Sequence, residues 1–88
     1  MKASTGFILR NLAGEYVVMP AGDNIGAFGG AILMNELSAF VWEQLKVSVS
    51  RDELLARILD RYEVEEKTAA ADLDALLAEM KRMRIIEE

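Results

Sequence analysis

The side chains that most often do chemistry in proteins are absent from this sequence. It contains no His and no Cys. Zinc and iron–sulfur sites of the usual kinds are therefore excluded, since both rely on imidazole or thiolate ligands. The Ser–His and Cys–His nucleophile pairs are excluded for the same reason. Acid–base work by paired carboxylates is the remaining route, with 15 Asp and Glu to draw on. Nearly all of them fall on the polar faces of predicted helices, so the expectation is no enzyme, no metal and no cofactor. One run is suited to recognition through its backbone. Ala31-Ile32-Leu33-Met34 is a β-compatible run with neither charge nor proline, the two devices that normally blunt a strand edge. A free edge of this kind offers N–H and C=O groups to an extended peptide, and an apolar groove beside it reads side chains.

The elements around that run follow from periodicity. The third strand spans Ala31 to Met34, and a helix starts almost at once. Asn35 is a preferred N-cap, and Glu36 puts negative charge at the positive helix end. Leu37, Phe40, Val41 and Leu45 recur at helical spacing, which predicts a first helix over Asn35 to Lys46 with Phe40 in mid-stripe. Trp42 lies about 120° from the centre of that stripe at 100° per residue. It either covers the hairpin or the glycine-rich loop, or stands out as an aromatic contact for a partner.

Upstream, Met1 to Gly6 is small, polar and expected to be loose. Phe7-Ile8-Leu9-Arg10-Asn11 and Glu15-Tyr16-Val17-Val18-Met19-Pro20 are β-prone runs separated by Leu12-Ala13-Gly14, an antiparallel hairpin with Gly14 at a positive φ. Pro20 ends the second strand or sits at an edge. Ala21 to Gly30 holds four of the six glycines but matches neither GxGxxG nor a phosphate loop. It reads as a surface loop anchored by Phe28. Downstream, Ser50-Arg51-Asp52-Glu53 is a capping box. A second helix follows to Tyr62, burying Leu54, Leu55, Ile58, Leu59 and Tyr62. A third runs from Glu66 to Arg84, with Ala69, Leu73, Leu76, Leu77, Met80 and Met83 as its stripe. Acidic residues near its start and Lys81, Arg82 and Arg84 at its end suit the helix dipole.

At 88 residues the chain is expected to be one domain over residues 1–88. It is 52% hydrophobic and 28% charged, the balance of a globular chain. No apolar run approaches the roughly 20 residues of a membrane span, and no secretory signal opens it. The absence of Cys is compatible with a reducing cytoplasm. A net charge of −5 disfavours nucleic acid, whose phosphates repel it.

The segments Gly6-Phe7-Ile8-Leu9-Arg10, Gly14-Glu15-Tyr16-Val17-Val18-Met19-Pro20 and Leu33-Met34-Asn35-Glu36-Leu37-Ser38-Ala39-Phe40-Val41-Trp42 resemble the PqqD family, named for coenzyme PQQ synthesis protein D. So do the Asp-Glu-Leu-Leu of the second helix and Asp72-Leu73-x-x-Leu76-Leu77 of the third. The resemblance implies an α+β, winged helix-turn-helix-like fold, a three-stranded antiparallel sheet followed by three helices. It implies a non-catalytic recognition element and peptide chaperone. Such a domain binds the leader of a ribosomally made precursor peptide and presents it to a modifying enzyme, often a radical S-adenosylmethionine protein. The leader adds as a strand beside Ala31, Ile32, Leu33 and Met34, with Leu73, Leu76, Leu77, Met80 and Arg84 opposite. Lys81 and Arg84 would favour an acidic residue at one end of it. Dedicated quinone-pathway members usually carry Cys-Asp-Gly after the first helix, where this chain has Lys46-Val47-Ser48.

Two other classes remain open at this stage. One is a subunit that docks on an enzyme through Trp42 and the first two helices without carrying a peptide. The other is a winged-helix DNA binder, which needs a basic recognition helix that the sequence lacks. Free edges could also pair two copies into a homodimer.

Overall fold

Alternating apolar runs and one two-residue turn begin the fold. The computed structural model describes residues 1–21 and 31–88. Its elements, in chain order, are β1 (Lys2–Ala3), β2 (Phe7–Leu12), β3 (Glu15–Pro20), β4 (Ile32–Met34), α1 (Glu36–Gln44), α2 (Arg51–Arg61), α3 (Glu66–Arg82) and β5 (Ile86–Glu87). The expected anchoring of the loop by Phe28 lies outside the described residues. β2 and β3 pair antiparallel from Phe7↔Pro20 to Leu12↔Glu15. Leu12 thus stays in the strand, and only Ala13 and Gly14 turn, at φ 54° and 87°. Two positive φ values give the primed turn whose twist matches that of the flanking strands. The Gly14 N–H donates to Asn11 Oδ1 at 3.0 Å and closes it.

β4 joins β3 antiparallel, with Tyr16 opposite Met34 and Val18 opposite Ile32. The sheet order is β2-β3-β4. Because strand residues alternate faces, Val18 and Met34 turn inward and are buried, while Leu33 turns outward. The result is the expected α+β arrangement of a three-stranded antiparallel sheet followed by three helices.

Each helix boundary has a local cause. Asn35 Oδ1 accepts from the Ser38 N–H at 2.8 Å, so α1 starts one residue beyond the end of β4. The capping box of α2 is formed: the Glu53 N–H donates to Ser50 Oγ at 3.1 Å and the Ser50 N–H to Glu53 Oε1 at 3.2 Å. α3 stops at Arg82 rather than Arg84. Arg84 adopts φ 62°, its N–H bonds to Lys81 O at 3.0 Å, and the Ile85 N–H reaches back to Met80 O at 3.1 Å. This is a Schellman stop, and the two residues at its apolar positions, Met80 and Ile85, are both fully buried in one core cluster. Arginine holds the left-handed position where glycine would be unstrained.

Two sequence expectations fail here. Met1 to Gly6 is not loose. β1 pairs with β5, Lys2 opposite Glu87 and Ala3 opposite Ile86. The Ala3 N–H bonds to Leu45 O at 2.7 Å and the Ser4 N–H to Ile85 O at 2.9 Å. Strands of two residues carry no periodicity, so their pairing leaves no local signal. Nor is Phe40 at the centre of the buried face of α1. That face is Ala39, Val41, Trp42 and Leu45, all at most 4% exposed. Phe40 is half-buried and packs edge-to-face on Tyr62, with ring centroids 5.7 Å apart. The main core joins Val18 and Met34 of the sheet to Val41 and Leu45, Leu54 and Ile58, and Leu73, Leu77 and Met80 from the three helices. Among the described residues, no helix is long and apolar enough to cross a membrane.

A surface clamp ties α2 to α3. Arg51 donates through Nε and Nη2 to the two carboxylate oxygens of Asp74, at 2.9 and 3.0 Å. These bonds hold the Asp74 carboxyl below its ordinary range. A carboxyl depressed in the folded state stabilises above its unfolded pKa and loses that contribution as pH falls through its folded value. Asp74→Asn should therefore lower the melting temperature at neutral and alkaline pH and flatten part of its acid-side decline, the two proteins converging in acid. Arg84→Gly should relieve the strained helix stop. A gain of about 1 kcal/mol would raise the melting temperature by roughly 4–8 °C for a domain of this size, measurable by thermal unfolding followed by circular dichroism.

Candidate functional site

One side of β4 is paired to β3, and no strand among the described residues pairs with the other. Along an antiparallel strand, alternate residues turn their N–H and C=O groups to the same side. The outer edge of β4 therefore presents backbone donors and acceptors beside an apolar side chain, Leu33, which is 69% exposed. Ala31 is exposed and Ile32 half-buried. Nothing charged lies in the strand itself, so the edge is not blunted in the usual way.

The structure separates the other residues singled out from the sequence. Leu73, Leu77 and Met80 are 0–4% exposed and belong to the core. They offer no surface to a bound chain, because a domain of this size needs the whole inward face of α3 for itself. Leu76, next to that face, is half-buried, while Lys81 and Arg84 are exposed. Lys81 already has a partner, its Nζ lying 2.6 Å from Glu88 Oε1. That pairing also holds the Glu88 carboxyl below its ordinary range.

Trp42 is not an exposed aromatic contact. It is 3% exposed and its Nε1–H points to Ile85 O at 3.4 Å. Its place off the Leu37–Leu45 stripe made it look peripheral. The segment that covers it comes from the two ends of the chain, and a helical wheel cannot show that.

Past the end of β4 lies a cavity of about 200 Å³ at the meeting of all three helices. Leu37 of α1, Ile58 and Tyr62 from α2 and its end, Val64 of the turn and Ala69 of α3 form its apolar lining. Glu36 and Asp72 complete it, and both are exposed. These residues come from distant parts of the sequence and were not foreseen as a group. The available clue was Val64, an apolar residue in an otherwise acidic turn, which is 45% exposed. Among the described residues no three of Asp, Glu, His or Cys come close enough together to hold a metal ion.

Comparison with known proteins bears on this geometry. The family model described as coenzyme PQQ synthesis protein D matches residues 7–86. Two solved structures have a similar fold at 20% sequence identity. TbiB1 in complex with the TbiA(beta) leader peptide has a TM-score of 0.78, covering 99% of this chain and 95% of that one. Lasso peptide synthetase B1 complexed with the leader peptide has a TM-score of 0.72, covering 92% and 89%. No curated protein matches the sequence significantly.

The burial of Trp42 is directly testable, since it is the one Trp of the chain. Its fluorescence should be blue-shifted and poorly quenched by acrylamide in the folded protein. Trp42→Ala should lower stability in urea unfolding by about 3–5 kcal/mol, as for other large core truncations.

Proposed function

The chain belongs to the PqqD family, and from that membership we propose that it is a non-catalytic adaptor for a ribosomally synthesised precursor peptide. It binds the leader segment by strand addition and presents the peptide to a modifying enzyme, such as a radical S-adenosylmethionine protein. The observation that carries this reading is the open, uncharged edge of β4 with Leu33 exposed beside it. Two proteins of similar fold, each solved with a leader peptide bound, support it.

The binding mode follows from what the edge offers. Main-chain hydrogen bonds along Ala31–Met34 set the register and give affinity largely independent of sequence. Of the apolar residues expected at the interface, Leu33, Ile32 and Leu76 have surface to give. Leu73, Leu77 and Met80 act from beneath by holding the fold rigid. A Leu77→Asp variant would bury an unpaired charge and report on folding rather than on binding. Arg84 has no ion-pair partner among the described residues, and as an exposed charge it contributes at most ~1 kcal/mol to an acidic peptide residue.

Isotopically labelled protein, titrated with a peptide selected from a randomised library, should show its main amide shifts at Ala31–Met34. N-methylation of alternate peptide residues should weaken binding by about tenfold or more, because strand addition uses every second N–H. Shifts confined to α1 and α2, with Ala31–Met34 unmoved, would overturn the reading.

A further inference from the structure

A peptide paired with Ile32–Met34 has to pass the point where β4 becomes α1. Glu36 and Leu37 lie just beyond that point, and both line the three-helix cavity. An extended chain advances about 3.3 Å per residue, so the cavity mouth is within a few residues of the paired segment. We propose that this cavity takes a lysine or arginine side chain of the bound peptide. The proposal rests on the strand-addition reading and adds the class of side chain recognised.

The chemistry of the walls selects the occupant. Ile58 and Ala69 are 2% and 5% exposed and, with Leu37, form an apolar lining. The two charged groups are Glu36 and Asp72, and among the described residues neither has an ion pair or side-chain hydrogen bond. Among the described residues no Lys or Arg lines the cavity. Arg61 lies over the Tyr62 ring at 5.8 Å and lines a separate hollow on the hairpin side of Glu36. Val64 is flanked in sequence by Glu63, Glu65 and Glu66, all exposed, so the local field is negative. An acidic peptide side chain is repelled there, and a short aliphatic one leaves both carboxylates unused. A lysine or arginine lays its methylene stem on the apolar lining and brings its charged head to the two carboxylates. A volume of about 200 Å³ suits one long side chain.

The test uses peptides selected from a randomised library against the intact chain, with binding measured by titration. The expected result is Lys or Arg at one fixed position outside the strand-paired segment. Changing that residue to norleucine should weaken binding about tenfold to wild-type protein, less so at high salt. The same change should make little difference to a Glu36→Gln/Asp72→Asn variant, whose melting temperature is checked alongside. Asp72→Lys should reverse the preference to a peptide carrying Glu at that position. If Ala31–Met34 shift on binding but no basic residue is enriched, or if an aromatic residue takes the position, the side-chain assignment is overturned and strand addition stands. An equal norleucine penalty in wild type and double variant overturns it too. If no selected peptide moves the Ala31–Met34 amides, the strand reading fails and this inference falls with it.

Discussion

The Asn35 side chain, bound to the Ser38 N–H at 2.8 Å, fixes the corner on which the molecule depends. It ends β4 and starts α1 one residue later. With almost no connecting chain, the direction of the helix is set by the direction of the strand. That places the Val41, Trp42 and Leu45 side of α1 in the core and leaves the far edge of β4 unpaired. The same corner puts Glu36 and Leu37 at the mouth of the three-helix cavity. A longer linker would uncouple the edge from the cavity.

A small core explains why the recognition surface is spare. The inward stripes of all three helices close on a single cluster, and the chain ends are drawn in to complete it. β1 and β5 pair beside Trp42, and the indole N–H meets Ile85 O. Among the described residues the large apolar side chains left exposed are Leu12, Leu33, Val47 and Val64, and of these Leu33 is the one on the open strand. Backbone hydrogen bonding suits a partner there, because it needs only a free strand and a rigid support. The architecture suits binding an extended chain with modest side-chain contact.

Sequence alone determined what is local. Alternation gave β2 and β3, Asn35 and the Ser50–Glu53 box gave two helix starts, and the apolar stripe of α3 marked its buried face. The missing His and Cys removed whole classes of chemistry. The PqqD resemblance could be read from the segments around the corner, since capping and turn residues act within a few positions of themselves. Tertiary structure decided what is distant. Residues 2–3 meet 86–87 across nearly the whole chain, which no periodicity encodes. Trp42 became core because those ends cover it. Leu73, Leu77 and Met80 became core because only packing says whether a helical stripe faces its own fold or a guest. The cavity at Glu36 and Asp72 draws on three helices and a turn, so it exists only once they have come together.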